Sequence, residues 1–229
     1  MTDDRIIVAL DVPRRADAEA LVETLGDAIS FYKVGLQLFA TEGMALARDL
    51  KASGAKVFAD WKLHDIGATV EKAAAALADT GAADFLTVHA QPQVLHAAVK
   101  GRGGSGMKIL GVTVLTSLND ADLAEIGYGL DVAALVERRI RQAVDAGADG
   151  VIASPHEAAL ARKIGGAGFL VVTPGVRPAG SDSNDQARAA TPAEAIRGGA
   201  SHLVVGRPIT AAADPRGAAL AIAAEIKGL

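Results

Sequence analysis

The stretch Asp60-Trp61-Lys62-Leu63-His64-Asp65 sets an acid, a base and a second acid within six positions, directly after the apolar run "KVFA" that begins at Lys56. In an extended strand successive side chains alternate between faces, so Phe58, Asp60 and Lys62 share one face and Val57, Ala59, Trp61 and Leu63 the other. The apolar second face suits packed helices, which turns Asp60 and Lys62 away from them and leaves Asp65 on the loop beyond. By the same parity Asp11 closes the run from Ile6 on the side of Ile7 and Ala9, and Lys33 sits mid-run with Phe31 and Gly35. Lys33, Asp60, Lys62 and Asp65 are therefore expected to converge as an alternating array, each buried charge compensated by a neighbour. Carboxylates so placed keep a lysine protonated and aimed. An ammonium fixed ~4 Å from a developing negative charge is worth roughly 4 kcal/mol at an effective dielectric near 20, and it can then give up its proton. On an isolated exposed strand Asp60 and Lys62 would be an ordinary ion pair, and the flanking core residues argue against that here. Taken alone, Lys33 reads as a snorkelling surface lysine and Asp11 as a helix cap.

The frame for these residues is read from hydrophobic periodicity. Short β-branched runs begin at Ile6, Phe31, Lys56 and Phe85, and again at Lys108, Gly150, Phe169 and His202. Between them lie Ala-rich stretches such as "ATVEKAAAALADTG" and "DVAALVERRIRQAVDAGA", several closed by a glycine that suits a helix C-terminus. Eight strand and helix alternations predict an α/β protein, a closed (β/α)8 TIM barrel occupying residues 1–229 as one domain. The alternative, a doubly wound open sheet, lacks its dinucleotide fingerprint here. The chain is half hydrophobic yet only 3% aromatic, so the core is expected to be built from Ala, Val, Leu and Ile.

Barrel enzymes carry their chemistry at the C-terminal ends of the strands and commonly bind phosphate on the loops after strands seven and eight. Arg177, Gly206 and Arg207 fall there, with Gln186 in the irregular segment 178–190. Gly206 permits close backbone approach and the arginines supply charge. Gly180, Ser181, Ser183 and Asn184 give that segment the composition of a lid. In isolation Arg207 would be a solvated loop charge and Gly206 a turn. The "GRGGSG" run from Gly101 precedes a strand and reads as a plain turn at the barrel bottom.

Composition narrows the partners. A net charge of −4 offers no general attraction to nucleic acid or to an anionic membrane, so an anionic ligand must be held by local cations. No apolar run is long enough to span a bilayer. The acidic start "MTDDRIIVALDV" lacks a signal peptide's basic region, and the absence of cysteine suits a reducing cytoplasm. The five histidines show no metal-binding spacing, and no metal or cofactor is expected; His89, at a strand end, is the one that could stand behind the site.

The ordered set "ALDV" at the first strand, Lys33 on the second, Asp-x-Lys-x-x-Asp at the third, "TPGVR" at the seventh and "VGRPI" at the eighth resembles the orotidine 5'-monophosphate decarboxylase family over nearly the whole chain. The resemblance implies decarboxylation of orotidine 5'-monophosphate to uridine 5'-monophosphate without a metal, in pyrimidine biosynthesis. It implies that Lys62 protonates the carbanion left by CO2, that Asp60 lies beside the substrate carboxylate, and that Lys33 holds the array. Asp65 would reach in from the neighbouring subunit of a homodimer with shared sites. Substrate contacts are implied at Asp11 (ribose), Thr116 (pyrimidine), Arg177, Gln186, Gly206 and Arg207 (phosphate), and also at Thr69 and Pro174. Two other readings remain open. Metal-dependent sugar-phosphate enzymes of the same superfamily share Asp-x-Lys-x-x-Asp but carry an acid where this chain has Lys33. A non-catalytic pyrimidine-nucleotide sensor would have no use for Lys62 beside two acids.

Overall fold

Eight β-branched runs form eight parallel strands: β1 (Ile6–Ala9), β2 (Phe31–Gly35), β3 (Lys56–Leu63), β4 (Phe85–His89), β5 (Lys108–Val112), β6 (Gly150–Ile152), β7 (Leu170–Thr173) and β8 (His202–Val205). They pair in chain order and close on themselves, β8 against β1. The computed structural model describes residues 3–178 and 190–229. Among these the helices are α1 (Arg15–Leu25), α2 (Leu36–Phe39), α3 (Gly43–Ala52), α4 (Gly67–Thr80), α5 (Pro92–Arg102), α6 (Asp120–Ile126) and α7 (Val132–Asp145). α8 (Ala158–Gly165), α9 (Pro192–Arg197), α10 (Arg207–Thr210) and α11 (Pro215–Ile226) complete the ring. The expected closed (β/α)8 barrel is therefore the observed fold.

Strand parity divides the core in two. Ile6 and Val8, Val57, Ala59 and Trp61 face the helices in one continuous outer core. Ile7, Ala9, Phe31, Phe58, Phe85, Leu110, Val172 and Val204 fill the barrel interior. Three of the chain's five phenylalanines thus pack inside the barrel, with Phe31 and Phe85 edge to face at 5.0 Å and Phe58 and Phe85 at 6.0 Å. Burial of each such side chain is worth roughly 1.5–3 kcal/mol. This plug closes the lower barrel and leaves the upper end for polar groups.

Several strands are shorter than their apolar runs predict. β1 stops at Ala9 and β5 at Val112, with single backbone bonds continuing just past each end, from the Leu10 N–H to the Lys33 carbonyl at 3.0 Å and from the Thr113 N–H to the Ile152 carbonyl at 3.5 Å. Asp11 and Thr116 consequently stand on loops just past the strand ends. "GRGGSG" ends α5 and turns into β5 at the bottom of the barrel, away from the strand tops.

Candidate active site

The third strand reaches the barrel mouth through a bulge. Ala59 pairs with Leu86 and Leu63 with Val88, so four steps along β3 match only two along β4. Lys62 absorbs the mismatch with φ of +49°, the one left-handed residue other than glycine among the described residues. That conformation costs a lysine roughly 1–2 kcal/mol and is sustained by its surroundings. Thr87, fully buried on β4, lies opposite the bulge: its Oγ1 accepts from the Lys62 N–H at 3.0 Å and donates to Asp60 Oδ1 at 2.9 Å. Simple alternation placed Asp60 and Lys62 on one face; the structure brings both to the cavity by a bulge that re-aims them.

Four charges then alternate along the barrel mouth. Lys33 Nζ donates to Asp11 Oδ1 at 2.8 Å and lies 3.4 Å from Asp60 Oδ2. Lys62 Nζ donates to Asp60 Oδ1 at 2.8 Å. Burial pushes the Asp60 carboxyl up, but the charges of Lys33 and Lys62, with hydrogen bonds from Lys62 and Thr87, outweigh it and hold the group below the usual carboxylate range. Asp60 is therefore an anion at neutral pH, wedged between two ammonium groups. Asp11, the exposed end of the row, does not cap α1, whose N-cap residue is Arg14.

These residues form one wall of a cavity of about 440 Å³ at the C-terminal strand ends, within the size range of small-ligand sites. Val112, Val114, Leu115, Thr116 and Ile152 line another wall; Pro174, Arg177, Gly206, Arg207 and Thr210 line the end formed by β7 and β8. Among the described residues lining the cavity are four cations, Lys33, Lys62, Arg177 and Arg207, and two anions, Asp11 and Asp60, in a chain of net charge −4. The cavity suits an anion that the molecule as a whole would repel. Among the described residues a Cβ on Gly206 would meet only Ala9 Cβ, at 3.8 Å, an ordinary van der Waals contact. The Arg177 N–H donates to the Ala190 carbonyl at 2.9 Å, tying together the two ends of the segment that contains Gln186. Gln186 and the expected lid residues Gly180, Ser181, Ser183 and Asn184 lie outside the described residues.

Two expected members stand apart within the chain. The expected convergence of Asp65 with Lys33, Asp60 and Lys62 is not found in one subunit: Asp65 is exposed, accepts from the Ile66 N–H at 2.6 Å, and does not line the cavity. The chain turns outward at His64 to start α4, and Asp11 takes the fourth place in the row. Thr69, in the first turn of α4, is likewise exposed and outside the cavity. His89 is half-buried beside His64, ring centres 4.9 Å apart, and also stays off the cavity wall. Burial, then the charges of His64, Arg139 and Lys62, lowers its pKa, leaving it neutral at pH 7. Among the described residues no group of three or more His, Cys, Asp or Glu could hold a metal ion.

Two site-building residues escape the motif reading. Gly35 pairs in register with Asp60, and a Cβ there would lie 2.7 Å from Asp11 Oδ1 and 2.9 Å from Lys33 Nζ. Glycine leaves that ion pair its room, and a larger residue would oblige the two side-chain ends to shift. Thr87 is the other, a hydroxyl in the otherwise apolar strand "FLTVH".

A closed eight-stranded barrel with a cation-rich cavity at its C-terminal strand ends defines an α/β-barrel enzyme for a small anionic substrate. The family model described as "Orotidine 5'-phosphate decarboxylase / HUMPS family" matches residues 4–222, and the chain belongs to that family. It is 66% identical over 227 residues to the orotidine 5'-phosphate decarboxylase of Caulobacter sp. (strain K31), covering 99% of both chains. The orotidine 5'-phosphate decarboxylase of Caulobacter vibrioides (strain NA1000 / CB15N) is 64% identical over 231 residues, again with 99% of each covered. The crystal structure of orotidine 5'-phosphate decarboxylase from Lactobacillus acidophilus superposes with a TM-score of 0.86 at 40% identity, covering 99% of this chain and all of that one.

Proposed function

We propose that the chain is a carboxy-lyase that converts orotidine 5'-monophosphate and a proton into uridine 5'-monophosphate and CO2, in pyrimidine biosynthesis. The observation that carries the reading is Lys62 Nζ, held 2.8 Å from Asp60 on a cavity whose β7–β8 end presents Arg177 and Arg207. The arginine end takes the phosphate, which carries about −1.5 to −2 charge at pH 7, and the β5–β6 wall with Thr116 faces the pyrimidine. Asp11, next to Lys33, is placed for the ribose, with Pro174 and Gly206 shaping the channel.

Cleavage of the bond between C6 and the carboxylate leaves an electron pair in the ring plane, where the ring delocalises it poorly. The Lys62 ammonium opposes that charge and then transfers a proton to C6; the neutral amine regains one from water. Lys33 and Asp60 hold the ammonium protonated and aimed. Repulsion between Asp60 and the substrate carboxylate adds a smaller ground-state contribution. No step calls for a metal, and Lys33 stands where metal-using relatives carry an acid. The absence of cysteine supports a cytoplasmic location.

The active form is a homodimer with shared sites. Asp65 and Thr69 lie on a surface with Ile66, 68% exposed, while Leu36 and Phe39 on the neighbouring α2 are 53% and 42% exposed. Exposed large apolar side chains beside Asp65 and on α2, whose Phe39 stacks on Trp61 of β3, suit a two-fold interface that carries Asp65 and Thr69 to the partner's cavity. Loss of orotidine 5'-monophosphate absorbance in the presence of a chelator tests the reaction; turnover abolished by chelator and restored by magnesium would contradict it. For the dimer, mixing Lys62→Ala and Asp65→Asn chains should return about a quarter of wild-type activity, since half the dimers are mixed and each has one intact site. Verified mixed dimers without activity would place Asp65 in its own chain's chemistry.

A further inference from the structure

Arg139 on α7 is a buried cation, 8% exposed, and pairs with no carboxylate among the described residues. One guanidinium nitrogen donates to the Thr113 carbonyl, the other to Tyr128 Oη at 2.7 Å, and the group lies 5.3 Å from the centre of the Tyr128 ring. Thr113 is the first residue past β5, and its hydroxyl donates to the Ile152 carbonyl at 2.8 Å. Directly after it come Val114, Leu115 and Thr116, which line the cavity. The β5–β6 ladder ends here: past Val112 its last contact is the long Thr113 N–H bond to the Ile152 carbonyl at 3.5 Å, beside the shorter one from the hydroxyl. A guanidinium left in a largely apolar interior is expensive unless its hydrogen bonds are made, so its place at this strand end calls for an explanation.

We infer that Arg139, braced by Tyr128, is a positioning residue that sets the cavity wall from Val114 to Thr116 and thereby the seat of the substrate's ring. The inference rests on the orientation argued above, with the ring at the β5–β6 wall and the phosphate at the β7–β8 end. Arg139 touches no substrate atom; it acts through the Thr113 carbonyl. Because the wall meets the ring equally in ground and transition states, its loss belongs in KM and ligand affinity more than in kcat.

The test compares two ligands, uridine 5'-monophosphate and ribose 5-phosphate, which lacks the ring. Arg139→Gln should weaken uridine 5'-monophosphate binding and raise KM by about tenfold, the scale of one charge-assisted hydrogen bond. Ribose 5-phosphate inhibition should stay within about twofold, far below the tenfold expected of a lost charged contact. Arg139→Lys, which keeps a charged donor for Thr113, should recover part of the loss. Tyr128→Phe removes only the hydroxyl and should shift the two ligands in the same unequal way, more weakly; it decides the matter if Arg139→Gln does not fold. Equal weakening of both ligands, or unchanged uridine 5'-monophosphate affinity, would overturn the inference. Failure of the wild-type protein to bind uridine 5'-monophosphate would instead overturn the reading of the site itself.

Discussion

At the N-terminal ends of the strands, Asp84 accepts from the Val57 N–H at 2.7 Å and from Lys51 Nζ at 2.8 Å, while Asp149 accepts from the Ile109 N–H at 2.9 Å and pairs with Arg102 and Lys108. At the C-terminal ends Asp11 and Asp60 accept from lysine ammonium groups and a hydroxyl, and among the described residues no backbone N–H reaches either. The lower carboxylates stitch strand to strand, their oxygens engaged by the sheet itself. The upper ones are satisfied by lysine, whose proton can leave. Similar residue types thus stabilise a fold at one end and build a proton-donating site at the other; the difference lies in whether the donor is part of the backbone.

Apart from Lys62, the largest expected effect is that of Lys33→Ala. It leaves Asp60 with one cation instead of two, and breaking a buried pair costs roughly 3–5 kcal/mol. The loss should appear at pH 7 in both the urea midpoint and kcat, whereas Asp149→Asn at the lower end should move the midpoint and leave kcat alone.

Next in size is a pH effect confined to the lower end. His202, packed edge to face on Phe31 and Phe85, has its pKa lowered to about 4, first by burial and then by Lys56. The unfolded chain protonates this group near 6.5 and the folded one near 4, so its contribution is complete above pH 6.5 and drains away as pH falls toward 4. By pH 4 the loss is roughly 3 kcal/mol. Urea unfolding at pH 7 and pH 4 should show His202→Leu losing less stability than wild type by about that amount.

Smaller again is Gly35→Ala. Its Cβ would press on Asp11 Oδ1 and Lys33 Nζ, both side-chain ends that can shift. A displacement on the order of 1 Å in a catalytic array lowers kcat/KM about a hundredfold, with folding little changed. An alanine variant with wild-type kinetics would mean the row tolerates movement that the stitched lower end does not.

Much of this was legible in the chain. Eight runs of period two give the barrel, and parity sends Ile7, Phe31 and Phe58 inward along with Lys33 and Asp60. The bulge at Lys62 was not legible, because nothing in "DWKLHD" marks a lysine for the left-handed region; the requirement arises from β4 supplying two residues where β3 spends four. Thr87 and Gly35 left faint signals, a lone hydroxyl in an apolar strand and a glycine where a strand would favour a β-branched residue. Asp65 belongs to the sequence motif yet does not line the cavity of its own chain, because the chain turns outward at His64 and the spacing of the motif does not record that turn.

The most direct measurement pairs catalysis with integrity in Lys62→Ala, whose side chain ends the upper row at 27% exposure. Loss of its counter-charge should lower kcat for orotidine 5'-monophosphate by at least about 10³-fold, the equivalent of roughly 4 kcal/mol. The urea midpoint should fall no further than in Lys33→Ala, since Asp60 again keeps one cation, and the folded variant should still bind uridine 5'-monophosphate. A variant that turns over at the wild-type rate, or that loses activity only because it unfolds, would contradict the claim that the upper array does chemistry while the lower one holds the fold.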